Sequence, residues 1–258
     1  MLLLQGELAK AEEKFAQSVE SGGGVPAMRK LITVQLQRRN YRDARSTLKK
    51  LRNENVSHSD AQLLEGLIDL REGNISSARS IFEEIATSPQ GKYGLALIAI
   101  SAKDHERARQ LMSEVAQGSE PLLRTYARTV LSAYEEFALF PGGQDIHRST
   151  LIARALASVQ ECEVALPLLS EAVNAQPDYR DAWIVKGYCE LTSERVNEAL
   201  PSLERAYNID PEKPETQYFL ARTYFLLGDP QNAVTFLQYA ILNLSLIHIS
   251  EPTRLRRI

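Results

Sequence analysis

The sequence predicts an all-α chain of antiparallel helix hairpins, about seven repeats long with an interruption near the middle, and three observations carry that reading. Residues of one kind return at an interval of 34: Ala165, Ala199 and Ala233; Ala172, Ala206 and Ala240; Leu169, Leu203 and Leu237; Ala153, Gly187 and Ala221; Pro177 and Pro211. A fixed period of this size marks stacked supersecondary units. Between these columns apolar residues recur at three and four, as in Ala199, Leu200, Leu203, Ala206 and Tyr207, which is one stripe of an amphipathic helix. Helix-ending residues fall where the period needs them, with Pro177 and Pro211 between units and Gly228-Asp229-Pro230 inside one.

Taken in order, the chain opens with degenerate repeats. Their second helices are marked by Ala11, Ala44, Ala78 and Ala108, with Phe15, Leu48, Phe82 and Met112 each four residues later. The first repeat lacks an opening helix, because only Leu2 to Leu4 precede Gly6. Ser21 to Pro26, with three consecutive glycines, reads as a flexible loop. Gly66 and Gly73-Asn74 give the third unit its helix-crossing and turn features. From Ala108 to Ala165 is 57 residues, too long for a plain repeat. Within it, Leu123, Tyr126, Ala127, Val130, Tyr134, Phe137 and Ala138 are spaced for one helix over Glu120 to Leu139, stopped by Phe140-Pro141-Gly142-Gly143-Gln144. That helix is either an internal cap or spacer, covering the last degenerate hairpin, or part of a lengthened repeat in one continuous solenoid. The expected organisation is therefore degenerate repeats plus a long helix over 1–140, three regular repeats over 146–243, and a separate tail over 244–258.

The columns have a mechanical basis. Where two helices cross, Ala or Gly lets the backbones approach, and the Leu four residues on fills the space beside them. Proline lacks the N–H and clashes with the preceding turn, so it marks connections. Glycine accepts the left-handed conformation at a helix C-terminus, and an Asp after it can cap the next helix.

At these residues the chain resembles the tetratricopeptide repeat family. The pattern is met by Trp183, Gly187, Ala199, Leu203, Ala206 and Pro211 in one unit, and by Ala221, Tyr224, Gly228, Ala233 and Ala240 in the next. The resemblance implies a right-handed superhelical solenoid that binds a peptide or helix of a partner protein in a concave groove. Positions 34 apart occupy equivalent places on successive first helices, giving three ladders: Thr150, Ile184 and Tyr218; Arg154, Tyr188 and Arg222; Ala157, Leu191 and Phe225. By the same resemblance these line the groove, whereas Ala153, Gly187 and Ala221 face the paired helix. Arginine offers bidentate bonds to carboxylates and tyrosine offers contact area at low entropy cost, so the expected partner segment is acidic or aromatic. The Asn/Lys carboxylate clamp of chaperone-binding members is not evident.

The last fifteen residues, Leu244 to Ile258, abandon the pattern and carry three Arg against one Glu. LSLIHISEPTR resembles the translated transposon-end adapter used in preparing sequencing libraries, and the tail is read as non-native. The natural gene is then expected to continue past Asn243, and Met1 to be an internal start. An alternative function follows: the repeat region of a truncated larger enzyme or membrane-associated assembly protein, for instance a glycosyltransferase.

Composition sets the remaining bounds. The 258 residues are 44% hydrophobic and 24% charged, with a formal net charge of −3. This suits a folded chain and gives no general field for nucleic acid. No apolar run approaches the roughly 20 residues that span a bilayer, and Met1 to Leu4 lacks the basic region of a signal peptide, so the expected location is cytoplasmic. Cys162 and Cys189 form no CxxC or Cys/His cluster, His58, His105 and His147 are scattered, and no GxSxG elbow occurs. No catalytic residue, metal or cofactor is expected. Arg38, Arg39, Lys49 and Lys50, around Arg42, Arg45 and Arg52, form a basic patch that either meets an acidic partner or is an ordinary charged surface.

Overall fold

The computed structural model describes residues 8–140 and 142–250, with side chains as far as Leu244. Among the described residues every regular element is a helix: α1 (Leu8–Glu20), α2 (Gly24–Gln37), α3 (Tyr41–Leu51), α4 (His58–Glu72), α5 (Ile75–Glu84), α6 (Pro89–Ser101), α7 (His105–Ala116), α8 (Pro121–Ala138), α9 (Asp145–Ser158), α10 (Cys162–Ala175), α11 (Arg180–Thr192), α12 (Val196–Ile209), α13 (Pro214–Leu226) and α14 (Pro230–Ser250). Two compact units, Met1–Leu168 and Leu169–Ile258, divide within α10. Most of the expected tail lies outside the described residues, although α14 continues to Ser250.

Six turns of one design join the paired helices. In each, a residue with positive φ follows the first helix: Arg39 (59°), Gly73 (93°), Lys103 (58°), Gln160 (66°), Glu194 (58°) and Gly228 (79°). The next residue's N–H reaches back five positions: Asn40 to Gln35 O, Asn74 to Asp69 O, Asp104 to Ala99 O, Glu161 to Leu156 O, Arg195 to Glu190 O and Asp229 to Tyr224 O, all at 2.8–2.9 Å. This is the Schellman closure, which satisfies carbonyls that the helix end leaves bare. Asp104 and Asp229 then accept from the N–H of Arg107 and Asn232 and so cap the following helix. Hydrogen bonds from Asn232 hold the Asp229 carboxyl below its ordinary range.

The periodic small residues form the crossings. Ala153, Ala165, Ala199, Ala206, Ala221, Ala233 and Ala240 are all at most 4% exposed, as are Ala11, Ala44, Ala78 and Ala108 of the degenerate repeats. A Cβ on Gly187 would stand 2.5 Å from Leu203 Cγ, the crossing residue against its filler. The same device appears twice around one ring in the first unit: a Cβ on Gly66 of α4 or on Gly94 of α6 would lie 2.3–2.4 Å from the Phe82 ring of α5. The last leucine column departs from the pattern. Leu169 and Leu203 are fully buried, whereas Leu237 is 41% exposed.

The interruption is itself helical. α8 packs on α7 before it and α9 after it, all within the first unit, and its 18 residues span about 27 Å. The glycine-rich stretch after α1 is tighter than a flexible loop: α2 already begins at Gly24, and a Cβ on Gly23 would meet the Ser18 carbonyl at 2.7 Å.

Candidate partner-binding surfaces

The nine ladder residues assigned to the groove divide between buried, Ala157 of the first unit among them, and accessible. In the first unit Thr150 is fully buried, its hydroxyl donating to Ile146 O at 2.9 Å, whereas Arg154 is exposed on α9. In the second unit Ile184 and Leu191 are buried, and Leu191 packs with Ala199, Leu203 and Leu220 in the hydrophobic core. Tyr188 of α11 and Tyr218 of α13 are brought together through Phe219: the Tyr188 ring lies 5.4 Å from it and the Tyr218 ring 5.5 Å. Tyr218, Arg222 and Phe225 follow one another along α13 at spacings of four and three and so share a face. Tyr218 is 50% exposed and Phe225 68% exposed. Of the predicted residues in the second unit, Tyr218 and Phe225 are thus exposed, with Tyr188 and Arg222 half-buried.

Periodicity did not disclose how apolar this end of the second unit is. Leu226, Leu227, Val234, Leu237, Tyr239, Ile241, Leu242 and Leu244 are also exposed. The signal was present as the dense apolar run of α14, but the column at Leu237 assigned part of it to the interior.

Four arginines of the basic patch face carboxylates within the first unit, whereas Arg42, Lys49 and Lys50 are exposed. Arg38 pairs with Glu12 at 2.5 Å, Arg39 lies 3.9 Å from Glu163, Arg45 pairs with Asp69 at 2.6 Å and also with Glu72, and Arg52 pairs with Glu65. Glu72 and then Asp69 raise the Arg45 pKa.

A buried polar group escaped the sequence reading altogether. Arg71 of α4 donates to Glu161 Oε2 at 2.6 Å, and the Tyr93 hydroxyl of α6 donates to Oε1 at 3.2 Å. Both charged side chains are 5–6% exposed. Burial works against the Arg71 charge, but the facing Glu161 outweighs it and the guanidinium pKa rises. Burial, reinforced by Glu161, pushes the Tyr93 phenol well up. Glu161 occupies the turn position where Asn40, Asn74, Asp104 and Asp229 stand elsewhere; here the longer carboxylate reaches across to α4 and α6.

Among the described residues no cluster of three or more His, Cys, Asp or Glu is placed to hold a metal ion. Cys162 and Cys189 are both buried. No helix of the described residues is long and apolar enough to cross a membrane.

Repeated hairpins, each closed by the same turn and crossed at a small residue, define an α-helical repeat protein, the kind of scaffold that engages other proteins. Family models described as tetratricopeptide repeat match residues 29–92 and 150–214 in one case and 190–242 in another. The chain belongs to the tetratricopeptide repeat family. Among solved structures it is similar to a MamA RS-1 ArsTM double mutant (17% identity, TM-score 0.39, covering 72% of this chain and 94% of that one). It is also similar to residues 41 to the end of MamA from Desulfovibrio magneticus RS-1 (17% identity, TM-score 0.39, covering 76% and 97%). A crystal structure of MamA is similar at 12% identity, with a TM-score of 0.40 and coverage of 71% and 96%. No curated protein matches.

Proposed function

We propose that the chain is a non-enzymatic scaffold that holds a short peptide or helix of a partner protein along α13 of the second unit. The observation that carries this reading is the face of α13 on which Tyr218 and Phe225 stand exposed on either side of a half-buried Arg222, continued by the Tyr188 ring next to Phe219. Tyr and Arg are the residue types that dominate binding hot spots, and a contiguous exposed apolar surface of this kind marks an interaction site on a soluble domain. Arg222 supplies a fork for a carboxylate of the ligand. The buried Thr150, Ile184 and Leu191 support the helices beneath rather than touching the ligand.

The test selects peptides from a displayed random library against the full chain and compares their affinity for the Arg222→Glu/Phe225→Ala variant. The expected result is a loss of at least about ten-fold, as for removal of one hot spot, with helicity and melting unchanged. Equal affinity for both proteins would remove the face from consideration.

A further inference from the structure

The ladder register carries back into the first unit. Thr150, Arg154 and Ala157 stand fifteen, eleven and eight residues before the second-helix Ala165, as Tyr218, Arg222 and Phe225 do before Ala233. Counted back from Ala44, the same places are Arg29, Thr33 and Leu36 of α2; from Ala78 they are Leu63, Leu67 and Leu70 of α4. All but Leu70 line a single hollow of about 180 Å3, whose other walls include Tyr93 of α6, α8 and the Val159-Gln160-Glu161 turn between α9 and α10. On α13 these positions leave Tyr218 and Phe225 exposed; in the first unit they are faced by a turn of the same chain.

Side chains hold that turn in place. Glu161 is 4% exposed and accepts from Arg71 of α4 at 2.6 Å and from the Tyr93 hydroxyl at 3.2 Å. The Gln37 amide at the end of α2 donates to Gln160 at 3.2 Å, and Glu163 lies 3.9 Å from Arg39. Among the described residues the backbone N–H groups of Val159, Gln160 and Glu161 bond only to carbonyls of residues 155–157, in their own hairpin. The turn therefore keeps its shape whether or not it is seated. Its seat is also imperfect. A buried ion pair offsets its own desolvation only in part, and both partners regain water when it is exposed. Arg71 Nε is buried without an acceptor among the described residues, a deficit that water removes. Leu63 and Leu64, beside the hollow, are only half-buried, with packing contacts unmade. A contact of this kind opens locally, at a lower free energy than the helices beneath it.

We propose that the Val159–Glu161 turn is an autoinhibitory latch, which occupies the ladder face of α2 and α4 in cis and uncovers it by lifting off as a preformed piece while the helices stay folded. Glu161 is the grip of the latch, and Arg71 with Tyr93 is its catch. The latch involves no α13 residue, so it and the α13 face stand or fall separately.

The experiment measures thiol labelling by dithiobis-nitrobenzoate on the full chain, with Cys162 and Cys189 replaced by alanine and one new thiol introduced. Val159→Cys places it on the latch, where the native side chain is 5% exposed and lines the hollow. Val115→Cys places it in the core of α7, at a site 1% exposed that a lifting turn leaves covered. Without denaturant the latch thiol should label at least about 100-fold faster than the core thiol, and with a much shallower dependence on urea, because local opening exposes little surface. Glu161→Gln should speed the latch thiol at least about ten-fold by leaving Arg71 without its counter-ion. Tyr93→Phe, a milder change that removes one hydrogen bond, should speed it about five-fold. Equal rates and equal urea dependence for the two thiols would show that the turn leaves its seat only when the unit unfolds, and would overturn the proposal. So would a latch thiol indifferent to both Glu161→Gln and Tyr93→Phe, since the grip would then lie elsewhere.

Discussion

In the first unit several ion pairs run from one hairpin to another: Arg29 of α2 to Asp60 of α4, Arg45 of α3 to Asp69 and Glu72 of α4, and Arg71 of α4 to Glu161 beyond α9. In the second unit the described pairs are local, Arg180 with its neighbour Asp181, Lys186 with Glu190 one turn on, and Lys213 with Asp210. Its cohesion comes instead from Gly187 against Leu203 and from rings, with Tyr207 5.2 Å and Tyr224 5.5 Å from Phe236. One architecture is thus held in two ways. Where the small-and-large columns are kept, the described charges stay close by, as Lys186 and Glu190 do around Ser202 of the paired helix; where the repeats are degenerate, pairs between hairpins add to the packing. Exposed pairs contribute little, so the weight of this contrast rests on the buried pair.

Glu161→Ala tests that weight most directly. It leaves Arg71 buried without its counter-ion, which costs about 3–5 kcal/mol and should lower the melting temperature of the first unit by roughly 10 °C. The apolar double replacement Arg71→Met/Glu161→Leu should restore most of it. A Glu161→Ala loss no larger than that of Glu72→Ala, at a more exposed partner, would break the contrast.

A smaller effect comes from the turns that both units share. Lys103 and Glu194 hold a left-handed conformation that glycine adopts without penalty. Lys103→Gly and Glu194→Gly should each stabilise by about 0.5–1 kcal/mol, and Gly73→Ala and Gly228→Ala should cost a similar or larger amount. Thermal melting would show opposite shifts of roughly 2–4 °C per kcal/mol; same-sign shifts would show that the six turns are not equivalent. The smallest effect concerns His105 of α7, whose ring stands 3.3 Å from the Tyr134 hydroxyl. Burial, then the Arg148 charge, hold it below its ordinary pKa of 6.5, so the fold prefers the neutral ring. Its contribution is complete above pH 6.5 and is lost as pH falls through the lower folded value. Melting between pH 7.5 and 5.5 should decline by about 1 °C more in the wild type than in His105→Gln, a small amount because the ring is partly exposed.

The hairpins were legible because their determinants are local and periodic. Ala199 with Leu203, and the turn at Gly228, carry the same information in sequence as in space. Four of the six turns were silent, because Arg39, Lys103, Gln160 and Glu194 adopt a glycine conformation without being glycine. The ladders located Tyr218, Arg222 and Phe225 on one face, yet the same register assigned Thr150, Ile184 and Leu191 to it although they are buried, since a 34-residue column fixes angle around a helix and not depth beneath its neighbours. The Arg71–Glu161 pair could not be read at all. Arg71 and Glu161 are 90 residues apart, and no local pattern links residues that only tertiary closure brings together.

The Phe82 ring lies against both Gly66 and Gly94, and this ties three helices into a single unit of change. Either glycine can gain a side chain only after the ring has shrunk, and a shrunken ring leaves two hollows rather than one. The trio is therefore coupled sterically: its members can be exchanged together but not one at a time.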